Sequence, residues 1–294
     1  MSLRLSGIDH LSPSGASTLD LCERRYWWQY KHGLRDGPSE ATAMGHGLAA
    51  ALEFSSLDRG IADYYEARPQ ADGWTDPVMY EREAWAATAT ITEAYHGYLS
   101  RYLEPATMVR EQTYLVAVPG ENRVVQARVD GCVPGQYLVE DKLRSASSMR
   151  ADALENEVLQ GRQLTAEIWA HWRCTGELLP VAFRVTKKCD PRKWKKLETR
   201  AEVESVIWGH FGGDGVFNQF DVTRTEAQLL AFEQEFADDL RRADQLLAST
   251  TPAGRRSEKS CHMYGRTCPA LAVCQGLASP DDLITRLRLD KENR

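Results

Sequence analysis

The stretch from Ala127 to Lys142 constrains the fold of this chain more than any other part of its sequence. Apolar residues on both sides of a Pro-Gly pair predict two antiparallel strands joined by a tight turn. A three-residue loop from Pro134 to Gln136 would pair Val133 with Tyr137, whereas a two-residue loop would shift the pairing by one residue. That shift would move the side chains of one strand to the other face, so the loop length decides which charged residues meet.

Two carboxylates and a lysine meet on one face of the hairpin if the loop is odd in length or contains a bulge. Glu140 and Lys142 are two positions apart on one strand, and Asp130 falls opposite Glu140 on the other. Carboxylates this close repel each other unless a cation lies between them, and hard oxygen ligands favour Mg²⁺ or Mn²⁺. With a lysine to orient or deprotonate a water molecule, this set of groups suits phosphodiester hydrolysis. The competing interpretation is a surface hairpin with ordinary charges, because Asp followed by Glu-x-Lys is common by chance.

Composition and charge are those of a soluble globular protein with one large domain or two small ones. The chain has 294 residues, of which 43% are hydrophobic and 27% are charged. The formal charge of −6 argues against a basic surface over the whole protein, although it allows a local basic track. No apolar run is long enough to span a membrane, and residues 1–6 contain no signal-peptide core. A cytosolic location without a membrane partner is therefore expected.

Three of the seven cysteines, Cys261, Cys268 and Cys274, fall within fourteen residues near the end of the chain. Disulfides are not expected in a reducing compartment, so this spacing indicates a metal site. Three thiolates are one ligand short of four, and His262 or a distant cysteine could supply the fourth. Thiolates suit an iron–sulfur cluster or zinc, although the sequence lacks the Cys-x-x-Cys pairs that are usual in zinc sites.

Helices and strands alternate in a pattern that predicts a mixed sheet, because a helix between two strands implies a parallel crossover. His46 and Glu53 are seven positions apart on one predicted helix and share a face, although a lone helical histidine is more often structural than a ligand. The predicted helices cover residues 18–30, 41–54, 78–103, 153–172, 198–210 and 225–248, and the predicted strands beside the hairpin cover 109–118, 123–133 and 178–186.

A dense basic cluster follows the last predicted strand. Lysines and arginines that track a phosphate backbone, beside an aromatic ring that stacks on bases, are typical of nucleic-acid binding. A solvated loop that leads into a helix explains the same residues equally well. The residues with a predicted role in binding are Lys187, Lys188, Arg192, Lys193 and Trp194.

Together these motifs resemble the PD-(D/E)XK nuclease superfamily, in particular its RecB-like branch with an iron–sulfur cluster. The resemblance begins with a Ser-x-Ser turn, here Ser12 and Ser14, and a helix with a lone cysteine and aromatic residues. It continues through a helix with a histidine, an aspartate on a strand, Glu-x-Lys on the next strand, and a helix with Gln163. Three closing cysteines complete a pattern that covers residues 12–274, and Tyr264-Gly265-Arg266 among them looks like phage-encoded members.

The resemblance implies an α/β fold with a restriction-endonuclease-like core, in which helices flank a mixed central β-sheet. An N-terminal helical segment would precede this core, and a C-terminal cysteine-rich segment would follow it. The implied organisation is a single nuclease domain over residues 1–294. Its parts would be a helical region at 12–104, the catalytic core at 105–200, a second helical region at 201–250 and an iron–sulfur segment at 255–280.

The resemblance also implies roles for individual residues. Asp130 and Glu140 would bind the metal with a carbonyl at Asp141, Lys142 would be the catalytic lysine, and Gln163 would orient the lysine or the DNA. The residues expected to hold a [4Fe-4S] cluster are Cys22, Cys261, Cys268 and Cys274. The expected DNA contacts are Arg24 and Arg25, together with Lys187, Lys188, Arg192, Lys193 and Trp194.

Two positions depart from the family pattern. The helical histidine of the family falls three residues before a Leu-Glu pair, but here Ala49 occupies that place before Leu52-Glu53. His46 lies one turn earlier and Glu53 one turn later on the same face, so either residue, or neither, completes the metal site. The residue four positions after Gln163 is Glu167 instead of the usual tyrosine.

The expected activity is that of a Mg²⁺- or Mn²⁺-dependent exonuclease acting on single-stranded DNA or duplex ends, in recombination, repair or phage DNA processing. The expected setting is the cytoplasm of a bacterium or a phage-infected cell, with a helicase, recombinase or CRISPR-adaptation protein as a partner. The competing function is a catalytically weakened clamp that binds DNA within a helicase or recombination complex. A zinc-stabilised structural protein is a third interpretation.

Overall fold

The structure is a computed structural model. It describes residues 10–33, 39–69, 76–102, 104–121, 123–145, 149, 151–251, 254–257, 261 and 267–279. The chain forms two compact units, the first from residues 1–36, 114–127 and 226–294 and the second from residues 37–113 and 128–225. The organisation into one nuclease domain stays a prediction.

The helices and strands are numbered in chain order. The helices are α1 (Pro13–Leu21), α2 (Glu23–Lys31), α3 (Glu40–Glu53), α4 (Leu57–Ala67), α5 (Pro77–Arg101), α6 (Ala151–Gln160), α7 (Arg162–Thr175), α8 (Arg200–Phe211), α9 (Glu226–Ala248) and α10 (Leu271–Cys274). The strands are β1 (His10–Leu11), β2 (Val109–Ala117), β3 (Val124–Val133), β4 (Tyr137–Arg144), β5 (Val181–Lys187) and β6 (Phe217–Val222). A short 3₁₀-helix covers Pro191–Lys193.

Cys22 separates two helices where the sequence predicted one continuous helix over residues 18–30. Its backbone is extended, with φ −163° and ψ 110°, so α1 ends before it and α2 begins after it. The prediction of one helix is therefore wrong. The reason lies in tertiary packing, because Trp27 and Trp28 on α2 are buried against Ala270. These distant contacts hold α2 in a direction that a continuation of α1 would not give.

In the second unit, the later part of β3 together with β4, β5 and β6 forms a sheet in the order β3-β4-β5-β6. The sheet is mixed, as the sequence predicted. β3 and β4 are antiparallel, β4 and β5 are parallel, and β5 and β6 are antiparallel. In the first unit, β1 runs parallel to the start of β3. β2 also pairs with β3. The sequence did not predict β6, whose alternation is weak because Asn218, Gln219 and Asp221 interrupt its apolar residues.

A glycine divides the helix that the sequence predicted over residues 153–172. Gly161 has φ −60° and ψ 111°, so α6 ends and α7 begins at this position. A Cβ atom on Gly161 would lie 2.1 Å from the carbonyl oxygen of Glu157, so a larger residue does not fit. The continuous helix is therefore a wrong prediction, and the break places Gln163 in the first turn of α7.

The core of the second unit is formed by apolar side chains of α3, α5 and α8. Leu48 and Leu52 on α3 pack with Tyr98 on α5 and with Ile207 and Phe211 on α8. Full burial of one such side chain contributes about 1.5–3 kcal/mol, so this packing fixes the position of α3. The same helix carries His46 and Glu53 on its exposed side.

Among the residues described, no helix has the length and apolar character needed to cross a lipid bilayer.

Candidate active site

The turn between β3 and β4 has the three-residue loop on which the predicted site depends. Val133 pairs with Tyr137, and Gly131 pairs with Val139. The Gln136 amide donates to the Val133 carbonyl at 3.0 Å. Continued by one residue, this register places Asp130 opposite Glu140, as the sequence predicted.

Gln163 joins two buried carboxylates behind the hairpin. Its Nε2 atom donates to Glu140 Oε1 at 2.6 Å and to Glu167 Oε1 at 3.0 Å. Both glutamates are only 1% exposed. The sequence singled out Glu167 only as a departure from the usual tyrosine, but the structure makes it a direct partner of Gln163.

Lys142 forms an ion pair with Glu140 Oε1 on the same side of the strand. Burial disfavours its charged form, but Glu140, Asp130 and Glu167 outweigh burial and raise the pKa of Lys142. The amine therefore stays protonated at neutral pH. It can orient a ligand and offset negative charge, but a protonated amine is not a base.

The site has three carboxylates, Asp130, Glu140 and Glu167, against the single ammonium of Lys142. Burial, followed by the charges of Glu167 and Asp130, raises the pKa of Glu140 well above its usual range. Burial also raises the pKa of Glu167 to about 8, despite the opposing effect of Lys142. Among the residues described, neither Glu140 Oε2 nor Glu167 Oε2 has a hydrogen-bond partner. Such an excess of buried negative charge attracts protons or a cation.

The donor set fits Mg²⁺ or Mn²⁺ in chemistry, since both ions prefer carboxylate oxygens. Within the described parts of the chain, however, no three His, Cys, Asp or Glu side chains are arranged so that they could hold one metal ion. N–H groups of Lys142 and Gln163 contact Glu140 instead. The carboxylates of the predicted metal site therefore lie near one another, but they are not arranged as a complete set of ligands around one ion.

Asp141 belongs to a second charge network. Its carboxylate accepts from Arg110 Nη1 at 2.7 Å, and Arg110 also contacts Glu104. Burial raises the pKa of Asp141 to about 6, although Arg110 opposes this shift. The Asp141 amide donates to Asp130 Oδ2 at 2.7 Å, which holds the Asp130 carboxylate in place. The metal-binding role of Asp141 stays a prediction.

A cleft of about 230 Å³ opens over the hairpin. Asp130 and Lys142 line it from the sheet, and His46, Ala49 and Glu53 line it from α3. The structure thus brings both helical candidates to the cleft, and their role as metal ligands stays a prediction.

Glu111 is an acidic residue of the cleft that the sequence did not predict. Its backbone has φ +52°, which is uncommon for a residue other than glycine. Its side chain is 13% exposed and pairs with Arg128 at 3.0 Å. Burial raises the pKa of Glu111, and Asp130 and Glu53 add to this effect against Arg128. Its position at the start of a strand was the one available signal, and many surface residues share it.

The predicted basic cluster surrounds the short 3₁₀-helix. Arg192 is 90% exposed but pairs with Asp190 at 2.6 Å. Lys193 is exposed, whereas Lys188 is half-buried and has its pKa lowered by burial. Trp194 is only 7% exposed and packs in the core of the second unit. The expected DNA contacts, including Lys187, stay predictions, and burial of the indole leaves little of it to stack on a base.

The first unit brings the cysteines expected to hold a cluster into one neighbourhood. Burial raises the pKa values of Cys268 and Cys274. Cys261 and Cys274 act electrostatically on Cys268, and Cys22 and Cys261 act on Cys274. These thiols are near one another without forming a closed metal site in the described part of this unit. His262 and Tyr264-Gly265-Arg266 lie outside the described residues.

Arg24 and Arg25, predicted to contact DNA, lie beside these thiols. Arg24 lowers the pKa of Cys274 against the effect of burial, and Arg25 does the same for Cys268. Arg24 also donates to the carbonyl of Gly254 at 3.3 Å. Positive charge beside cysteine favours the thiolate, which is the form that binds metals. The contact of Arg24 and Arg25 with DNA stays a prediction.

Comparison with known proteins identifies the family. Among solved structures, the fold is similar to that of a protein from Eubacterium rectale described as a "putative exonuclease", with a TM-score of 0.52 and 15% identity. The similarity covers 89% of this chain and 91% of that chain, and at this identity it shows a shared fold. No curated protein matches the sequence significantly. The family model of the PD-(D/E)XK nuclease superfamily matches residues 10–275, and the chain therefore belongs to this superfamily.

Proposed function

We propose that this protein is a metal-dependent exodeoxyribonuclease that hydrolyses phosphodiester bonds in single-stranded DNA or at duplex ends. The observation that carries the proposal is that Asp130 and Lys142 line one cleft, while the buried Glu140 pairs with Lys142 and accepts a hydrogen bond from Gln163. Membership of a nuclease superfamily supports it. The description of the structural neighbour from Eubacterium rectale as a "putative exonuclease" supports the choice of action at strand ends.

Each residue has a distinct part in the proposed reaction. Asp130 and Glu140 would hold Mg²⁺ or Mn²⁺, with His46, Glu53 and the Asp141 carbonyl as further candidate ligands. When bound, such a cation acts as a Lewis acid on the phosphodiester and makes water a better nucleophile.

The protein's own groups prepare the site for this cation. Gln163 holds the Glu140 carboxylate, and the Asp141 amide holds Asp130. Lys142, kept protonated by its acidic neighbours, offsets the negative charge that develops on the phosphate oxygens. Glu111 also lines the cleft, where its pairing with Arg128 offsets its charge.

Digestion of end-labelled DNA tests this proposal. Linear and circular DNA, each single- and double-stranded, should be incubated with Mg²⁺ or Mn²⁺ and with EDTA. We expect degradation of linear DNA only, loss of activity in EDTA, and a loss of at least about 100-fold in Lys142→Ala. The matched control is Lys196→Ala at an exposed lysine. Wild-type activity in Lys142→Ala would refute the assignment, and cleavage of circles would refute exonuclease action.

A DNA-binding clamp is the second candidate function, and Ala49 is the observation that favours it. Ala49 lines the cleft where the family pattern places a histidine. A clamp would bind single-stranded DNA with similar affinity in wild type and in Lys142→Ala, and it would cleave neither linear nor circular DNA under any metal condition. Either function is compatible with a role in a recombination or repair complex that contains a helicase, recombinase or CRISPR-adaptation protein.

We also propose that Cys22, Cys261, Cys268 and Cys274 hold a [4Fe-4S] cluster in the first unit. Their shared neighbourhood and the two adjacent arginines support thiolate ligation. Anaerobically purified protein should be brown and contain iron and acid-labile sulfide in equal amounts. Colourless protein with one zinc per chain would contradict the cluster and favour structural zinc.

A further inference from the structure

A second pocket, of about 530 Å³, adjoins the candidate active-site cleft. Leu52, Glu53 and Arg110 line both the cleft and this pocket, so the two spaces are neighbours at the C-terminal end of α3. A strand of nucleic acid whose phosphate lies in the cleft would therefore have an adjoining group at the entrance of the pocket.

The walls of this pocket suit a flat, largely apolar group. Leu99 and Tyr102, at the end of α5, face it together with Pro105 and Met108. Leu99 is 49% exposed, although a leucine gains stability from burial. The Tyr102 ring is held by the guanidinium of Arg184, which lies 4.4 Å from the ring centroid. The pocket thus combines a positioned aromatic ring with an apolar side chain that a ligand could cover.

The charges around the pocket do not suit a phosphate group. Glu53 and Glu104 both line it. Arg110 is the one cationic residue among its described lining, and it already binds Asp141 and Glu104. Arg184, behind Tyr102, donates to Glu104 at 3.1 Å. A neutral ring that carries amino groups suits these charges better than a phosphate does, because the amino groups can donate hydrogen bonds to Glu104.

We propose that this pocket is a nucleobase subsite, which takes up the base of the nucleotide next to the phosphodiester bond that is cleaved. The inference rests on the proposed nuclease function and specifies its substrate. A base that enters the pocket is unpaired, so the subsite selects single-stranded ends over intact duplex. Stacking against Tyr102 and contact with Leu99 supply affinity without sequence specificity.

Oligonucleotides that lack one base test the subsite. A single-stranded oligonucleotide with an abasic residue at its first, second or third position from either end is compared with the intact strand. Binding is measured with Ca²⁺ by fluorescence anisotropy, and cleavage is measured with Mg²⁺ as the rate of the first turnover. The variants are Leu99→Ala and, as a control, Leu178→Ala at a leucine that is 45% exposed and outside the pocket.

We expect the wild type and Leu178→Ala to lose about tenfold in affinity at one particular abasic position. Leu99→Ala should bind intact DNA more weakly than the wild type does. An abasic residue at the same position should lower its affinity by only about threefold or less, because part of the contact with the base is already absent. Equal sensitivity in Leu99→Ala and wild type, or no sensitive position, would overturn the subsite even if DNA is cleaved. The expected binding pattern without any cleavage would support the subsite while refuting the nuclease function.

Discussion

Replacement of Glu167 by glutamine removes one buried negative charge while it preserves the shape of the side chain. The Oε1 atom of a glutamine can still accept the bond that Gln163 Nε2 donates to Glu167 at 3.0 Å. Its amide can also donate towards Glu140, as a protonated carboxyl would. The substitution therefore separates the charge of Glu167 from its role in packing.

The expected effect on stability follows from the pKa of Glu167. Burial raises this pKa from its ordinary value of 4.5 to about 8, against the effect of Lys142. Between these two values the Glu167 carboxyl binds more protons in the folded protein than in the unfolded chain. Its destabilising effect is therefore absent below pH 4.5 and grows as the pH rises towards 8. Each pH unit costs about 1.4 kcal/mol, and at pH 7.5 the total reaches about 4 kcal/mol.

Glu167→Gln should therefore be more stable than the wild type at neutral pH. Relaxation of the protein around the charge lowers this cost, so we expect a gain of about 2–4 kcal/mol at pH 7.5 that shrinks towards zero near pH 4.5. Urea unfolding followed by circular dichroism from pH 5 to pH 8 measures this difference. EDTA must be present, because a bound cation would replace the proton.

The control for this series is Glu155→Gln, at an exposed glutamate on α6. Its stability should stay within about 0.5 kcal/mol of the wild type, as for most substitutions at exposed positions. A Glu167→Gln protein whose stability difference is constant over the pH range, or that is less stable than the wild type at pH 7.5, would refute the reasoning.

Two further substitutions test the surroundings of the site. Gly161→Ala should lower the free energy of unfolding, measured in urea, by about 2 kcal/mol or more, because its Cβ would lie 2.1 Å from the Glu157 carbonyl oxygen. The control Gly209→Ala, at a position with open space, should cause no loss of stability. Arg110→Met should lower stability at pH 7.5 by about 3 kcal/mol, because it leaves the buried Asp141 carboxylate without its ion pair. In that variant the pKa of Asp141 should rise above its value of about 6. The loss of stability should therefore be smaller at pH 5, where the carboxyl is protonated, than at pH 7.5. An equal loss of stability at pH 5 and pH 7.5 would contradict this explanation.

Local rules of strand geometry were enough to predict the centre of the candidate site. Asp130, Glu140 and Lys142 are at most twelve positions apart, and the side-chain alternation of two strands with a three-residue loop decides their common face. The parallel pairing of β4 with β5 also followed from the order of elements. Such features depend on neighbours in sequence, so the pattern of residue types predicts them well.

Helix continuity was predicted less well, because contacts from distant residues decide it. At Cys22 the burial of Trp27 and Trp28 against Ala270 sets the direction of α2. At Gly161 the close approach of a carbonyl oxygen ends α6, and Gln163 reaches Glu140 from the following turn. Neither effect is visible in helix propensity, since both depend on which surface the segment packs against.

The sequence by itself thus determined the mixed sheet and the hairpin with its two carboxylates and lysine, because both rest on local pattern and spacing. Its motifs also resemble the superfamily to which the chain belongs. The tertiary structure alone decided that Glu167 shares Gln163 with Glu140, that Glu111 enters the cleft, and that a second pocket adjoins it. The physical reason is that the energy of a buried charge depends on groups that folding brings near it. No spacing in the sequence encodes those distances.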